Sequence, residues 1–253
     1  MAYKILLDAG HYGHTNGSPC VTKIKYYESD MSWTLHNYLK AELQKYGFVV
    51  AVTRADKNKD LQVYDRGQMA KGYDMILSLH SNASPFNDVY EGLDRPVVIY
   101  PLKGDSKVKA FATTLASTVY DVMKTKQKYQ VLTREYPGYP GYDYYGVIRG
   151  AVDAGCKNIF IIEHGFHTDT DCTNWLLKTP NLQALAVAEA KAVANFFGVT
   201  MPTTTVNPST STTTNNVVYR VQVGSYTKKE NAEALLAKLK AAGFNAYIKA
   251  EKT

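Results

Sequence analysis

The chain has 253 residues, 45% of them hydrophobic, and a formal net charge of +6. That length accommodates one sizeable domain and a small one, and the composition is that of a globular protein with a real core. No apolar run approaches the ~20 residues of a membrane span, and the opening "MAYKILLDAGH" is too short and too strand-like for a signal peptide, so the chain is expected to be made in the cytosol without an export signal.

From the N-terminus, strand and helix patterns alternate. Residues 3–8 (YKILLD) form a short, nearly all-apolar run, as a strand covered on both faces should. Residues 29–46 keep a helical stripe through Met31, Leu35, Tyr38, Leu39, Leu43 and Tyr46, and Gly47 can close that helix by taking φ > 0. Further strands are predicted at 48–54, 74–79, 97–100 and 158–162, with helices near 60–71, 105–124 and 180–197, each after an Asp, Asn or Pro start signal. The alternation predicts an α/β domain over residues 1–199, with a largely parallel sheet flanked by helices. Residues 128–150 place six tyrosines among Gly and Pro, a composition suited equally to stacking on sugars or peptide and to packing on its own domain. Tyr142 and Tyr144 are the candidates for substrate contact there.

Residues 200–216, with eight Thr, two Ser and two Pro and no hydrophobic period, have linker composition. The tail, 217–253, reads strand, helix, strand: Val221 and Val223 alternate, Ala232, Leu235, Leu236 and Leu239 make a helical stripe, and Gly243 precedes "FNAYIK". Seven Lys or Arg against three Glu give the tail +4 of the total charge. That excess suits a polyanion such as nucleic acid, an anionic membrane or the anionic polymers of a bacterial wall, and equally a solvated helix face. At 37 residues the tail is below the ~40 at which a lone core becomes untenable. Pairing with a second tail, docking on the larger domain and partial disorder are all open.

Three predicted strands end in chemistry-bearing residues: "ILLDAGH" at His11, "MILSLH" at His80 and "IFIIEH" at Glu163. In open parallel sheets the functional crevice lies outside the carboxyl ends of the strands, so these side chains can share one rim although they are far apart in sequence. Glu28 joins them where the second element begins. Two imidazoles and a carboxylate suit a catalytic zinc, which leaves its fourth position to water and lowers that water's pKa from about 16 to about 7. His11, Glu28 and His80 fill that set. Glu163, left uncoordinated, is then placed to accept a proton and pass it on, a step worth roughly 10²- to 10⁴-fold. Taken singly, each residue reads as readily as structure, since a Glu at a helix start often only complements the dipole. The three cysteines, Cys20, Cys156 and Cys172, have neither the number nor the spacing for a disulfide framework or a thiolate zinc site. Cys156, with no activating neighbour, is a poor nucleophile.

The segments "LLDAGHYG", "YYESDMSWTLHNYLKAEL", "VTRADK", "DMILSLHSNAS" and "IFIIEHGFHTD", in that order over residues 1–198, resemble the motifs of the zinc-dependent N-acetylmuramoyl-L-alanine amidases called type 3. The resemblance implies a phosphorylase/hydrolase-like α/β fold, one Zn²⁺ per catalytic domain on His11, Glu28 and His80, and a catalytic Glu163. It also implies a substrate, the amide between N-acetylmuramic acid and L-alanine in peptidoglycan. Ala9 stands where the pattern more often has Pro, and His164 and His167 where small or apolar residues are commoner. His167 is a candidate for substrate contact or metal competition, with a surface-loop histidine as the plainer reading. His14 reads as surface and His36 as structural. Arg54 and Arg66 are candidates to pair with stem-peptide carboxylates or with acidic neighbours.

The tail resembles the first half of a sporulation-related repeat, or SPOR, domain, a peptidoglycan-binding module, through "QVGSY" and the Gly-Phe after its helix. Together these imply a cell-wall hydrolase acting on peptidoglycan, with no nucleic-acid partner, and with anionic wall polymers and self-association as further roles for the tail. A bacteriolytic phage or prophage endolysin is the leading expectation. A mother-cell autolysin, a zinc peptidase cutting the stem peptide and a wall-binding protein with an inactive site are the alternatives.

Overall fold

A computed structural model describes residues 2–201, 222–241 and 246–250. The chain divides into two units, 1–204 and 205–253.

The first unit is built on six strands, β1 (Lys4–Ala9), β2 (Val49–Val52), β3 (Met75–Asn82), β4 (Val97–Ile99), β5 (Gln130–Leu132) and β8 (Ile159–Phe166), in the spatial order β2-β1-β3-β8-β4-β5. β2, β1, β3 and β8 run parallel, β4 runs antiparallel to β8, and β5 runs parallel to β4. The sheet is thus largely parallel, as expected, with β4 and β5 running opposite to the other four strands. Between β5 and β8 lie the hairpin β6 (Glu135–Tyr136) and β7 (Tyr139–Asp143), then helix α4 (Gly146–Asp153). The remaining helices are α1 (Glu28–Lys45), α2 (Val63–Gln68), α3 (Ser106–Met123), α5 (Thr170–Leu176) and α6 (Thr179–Phe197).

The central strands are mostly apolar because both faces are covered. Side chains alternate across the sheet, so Leu77, Leu79, Phe160 and Ile162 enter one core with α1, α3 and α6. Ile76, Ile159 and Ile161 enter a second, smaller core with Val147, Ile148 and Ala151 of α4. By the same alternation Ser78 and His80 on β3, and Glu163 on β8, lie on this second face. α2 and α4 cross here at a glycine contact: a Cβ on Gly150 would run into the Tyr64 carbonyl and come within 2.9 Å of the Gln68 nitrogen.

In the second unit, residues 229–241 form helix α7 (Lys229–Ala241), and Ala232, Leu235, Leu236 and Leu239 are its half-buried positions, as the stripe predicts. Residues 222–226 and 246–250 form no strand. The linker from residue 202 onward, Val221 and Gly243 lie outside the described residues. Among the described residues no helix is long and apolar enough to cross a membrane.

Candidate active site

Three parallel strand ends and one helix start bring the sequence-predicted residues together. His11 follows β1 by two residues, and it and Asn16 take left-handed backbone angles, φ 59° and 55°. Those turns bring the loop back over the start of α1, where Glu28 is the first helical residue and 3% exposed. A buried carboxylate at a helix N-terminus is favoured by the helix dipole. His80 lies near the end of β3, directly opposite Glu163 in the β3–β8 register. The close packing requires Gly10, where any Cβ would collide with the His80 ring.

Glu28 is the hub. Its Oε1 lies 3.1 Å from His11 Nε2 and 2.9 Å from His80 Nδ1, and it accepts the Ser81 backbone N–H at 3.1 Å. Its Oε2 accepts from the Asn16 side-chain amide at 3.0 Å. Burial alone would raise its pKa, but the hydrogen bonds and charges of His11 and His80 outweigh that and hold it below the usual carboxylate range. Ligand atoms of His11, Glu28 and His80 all lie within 4.8 Å of one another. Two imidazoles and an ionised carboxylate gathered so closely are a donor set that could hold a zinc-like cation.

Glu163 differs from Glu28. Its Oε2 is buried and has no hydrogen-bond partner. Burial, followed by the nearby charge of Glu28, pushes its pKa well above the usual range. A desolvated carboxylate that the protein itself leaves unsatisfied is a good proton acceptor beside a cation site.

Behind this group the sheet supplies a second layer that the sequence did not reveal. The remaining nitrogen of His80, Nε2, lies 3.1 Å from Ser78 Oγ, which donates to Asp8 Oδ2 at 2.7 Å. Asp8 also accepts from Thr53 Oγ1 at 2.6 Å and pairs with Arg66 at 3.1 Å. Burial would raise the Asp8 pKa, yet Arg66 and the two hydroxyls bring it below the ordinary value. Partners of this kind fix the orientation of a ligand imidazole. Asp8 carried a signal, a charge inside an apolar strand, whereas Asn16, Ser78 and Ser81 carried none.

Arg66 lines a cavity of about 140 Å³ with Asp8, His11, Tyr12, Asp60, Leu61, Val63, Ser78, His80 and Val147. Its guanidinium is 3% exposed and already donates to Asp8 and to the carbonyls of Leu61, Ala9 and His11. Of the two readings offered for it, pairing with an acidic neighbour is the one observed. Arg54 is likewise buried, donating to the carbonyls of Ala9 and Lys57. The surface-loop reading of His167 is corrected: the residue is 2% exposed, its Nδ1 2.9 Å from Ser81 Oγ and its ring stacked on Tyr26. Ser81, which also bonds Glu28, joins it to the site. His164 is fully buried between the His80 carbonyl at 2.8 Å and Glu189 at 2.6 Å. His14 is exposed and pairs with Asp30. Tyr142 is exposed and Tyr144 half-buried, both on or beside the β6–β7 hairpin. All three cysteines are buried and unpaired, and burial raises the Cys156 thiol to about 11, which disqualifies it as a nucleophile.

In this largely parallel α/β sheet the imidazoles and carboxylates gather at the carboxyl rim, the place where such sheets bind their ligands. The family model described as N-acetylmuramoyl-L-alanine amidase matches residues 5–195, and the chain belongs to that family, whose members hydrolyse an amide of the cell wall. A SPOR domain model matches residues 186–252. No curated protein matches the chain. Among solved structures, an N-acetylmuramoyl-L-alanine amidase from Clostridium difficile 630 is 22% identical, with 78% of this chain and 97% of that one covered and a TM-score of 0.64. The catalytic domain of CwlV from Bacillus (Paenibacillus) polymyxa var. colistinus is 18% identical, covering 78% and 99%, with a TM-score of 0.63. Cwp6 from Clostridium difficile is 17% identical over 78% of this chain, with a TM-score of 0.63, but the match spans only 29% of its length. At these identities the likeness is one of fold.

Proposed function

We propose that this protein is a zinc-dependent hydrolase that cuts the amide between N-acetylmuramic acid and L-alanine in peptidoglycan, with His11, Glu28 and His80 as metal ligands and Glu163 as the catalytic residue. The observation that carries the reading is the convergence of the three donors around a buried, ionised Glu28, with the unpartnered oxygen of Glu163 on the same face of the sheet. The family is generally zinc-dependent, in keeping with that donor set. Zinc, when bound, supplies Lewis acidity that polarises a carbonyl and acidifies water near neutral pH.

The chain's own residues do the rest. Asn16 and Ser81 hold the Glu28 carboxylate, and the Ser78–Asp8 pair fixes His80. Glu163 takes a proton from the attacking water and returns it to the departing amine of L-alanine, so that one carboxyl group serves as base and then as acid. Tyr142 and Tyr144 contact substrate beside the site, while Arg66 acts through the cavity wall it builds and His167 through Ser81. The tail holds the enzyme on peptidoglycan, its +4 charge adding attraction to anionic wall polymers. A lytic enzyme of phage or host is the setting in which wall cutting and wall binding are joined.

The test combines a metal assay with product analysis. Glu163→Gln is expected to keep one zinc per chain while losing at least 10²-fold in turnover, and His80→Ala to lose the metal. Wild-type digests should carry new L-alanine amino termini, and purified walls should lose turbidity unless a chelator is present. Termini created inside the stem peptide, or full turnover by Glu163→Gln, would overturn the assignment.

A further inference from the structure

We propose that the tyrosine surface of the β6–β7 hairpin is a binding site for the glycan strand of peptidoglycan alongside the point of cleavage, an inference that rests on the amidase reading above. Tyr139 is 64% exposed, Tyr142 50% and Tyr136 39%, a concentration of aromatic area that a domain with two closed cores does not need for folding.

The rings are held in place. Tyr136 contacts Tyr139, Tyr142 and Tyr144 with centroids 5.6, 6.3 and 5.9 Å apart. Arg134 lies 3.8 Å over Tyr144, and Arg149 lies 5.1 Å over Tyr142 and 5.6 Å over Tyr136. Arg149 is itself fixed by the carbonyls of Asp143 and Tyr144 at 2.8 and 2.6 Å. Rigid aromatic side chains of this kind offer contact area at little entropic cost.

Position ties the surface to the chemistry. β7 leads within three residues into α4, whose Val147 lines the cavity beside His11 and His80, and Tyr145 packs on the same core. His80 and Glu163 lie on this face of the sheet, and α4 is the element that joins the hairpin to the cavity. The amide to be cut hangs from a sugar inside a polymer, so a site that accepts it must also accommodate the glycan running past it. Pyranose rings present flat C–H faces to tyrosine, and their hydroxyl and acetamido groups bond to phenols. The charge pattern favours sugar over acidic peptide, because each guanidinium is already stacked on tyrosine and Arg149 is bound by two carbonyls.

The experiment uses the full chain and two soluble muropeptides with the same stem peptide, one on a disaccharide and one on an octasaccharide. Replacing both tyrosines, Tyr139→Ala with Tyr142→Ala, should raise the ratio of the octasaccharide KM to the disaccharide KM roughly tenfold, about 1.4 kcal/mol, with the melting temperature preserved. Tyr139→Phe, which keeps the stacking face and loses only the phenol, should raise the ratio less than Tyr139→Ala does. An unchanged ratio overturns the proposal, as does inhibition by free stem peptide without inhibition by peptide-free glycan strands. If the wild type cut neither substrate, the amidase reading would fail separately. Tyrosine fluorescence titrated with peptide-free glycan would still decide the binding site, a saturable response smaller in the double variant supporting it and an equal response in both overturning it.

Discussion

His36, on the buried side of α1, shows how one titratable residue links the fold to pH. It is 2% exposed, its Nδ1 lies 2.6 Å from the Trp33 carbonyl, and burial, aided by the nearby charges of Arg54 and Lys40, lowers its pKa to about 4. The unfolded chain binds a proton at this position near pH 6.5, and the folded chain only near 4. The contribution to stability is therefore fully present above about pH 6.5 and is lost as the pH falls toward 4, by up to roughly 3 kcal/mol. Denaturant melts at pH 7.5 and pH 4.5 should show that loss in the wild type, and His36→Asn, which keeps a donor for Trp33, should reduce it by more than half. Gly10 is the second sensitive position. Gly10→Ala would push the His80 ring out of place, and the expected result is at least a tenfold loss of zinc affinity, read by competition with a chromophoric chelator, with the fold retained by circular dichroism.

At the scale of elements, the short helices α2 and α4 each give the cavity a lining residue, Val63 and Val147, and their spacing depends on small residues. A Cβ at Gly150 would press on the backbone of Tyr64 and Gln68, neither of which is the far end of a flexible side chain. Gly150→Ala should cost about 1–3 kcal/mol and lower the melting temperature by several degrees. It should also raise KM more than it lowers kcat, because Val63 and Val147 line the cavity while Glu163 belongs to β8. Which elements the sequence disclosed follows the same physics. β1, β3 and β8 were legible, with their chemical ends, because apolar runs that stop at His11, His80 or Glu163 announce both the burial and its limit. The reversal of β4 was not, since the burial of Val97, Val98 and Ile99 is the same in either direction. β6, β7 and α4 were hidden in a stretch whose Gly, Pro and Tyr suited a loop. The Asp8, Thr53, Ser78 and Arg66 network was hidden because its bonds join strands and helices that meet only in the fold.

For the whole molecule, what matters is the division of labour between the two units. The first has both cores and every residue of the candidate site. In the second, Leu235, Leu236 and Leu239 of α7 are half-buried. Joining a wall-binding unit to a wall-cutting one makes each new cleavage a local event, because a bound tail keeps the catalytic unit at high effective concentration near its substrate. Removing residues 205–253 should therefore leave kcat/KM on a soluble muropeptide within about twofold, while the enzyme concentration needed for half-saturation of purified walls rises at least tenfold. The full chain's advantage should shrink as salt is raised from 50 to 500 mM if the tail's +4 charge carries it, since exposed charges lose their reach as the Debye length contracts. An advantage that persists at high salt would instead assign the tail's affinity to uncharged contacts with the glycan. Equal binding of walls by the full and shortened chains would remove the tail from substrate capture altogether.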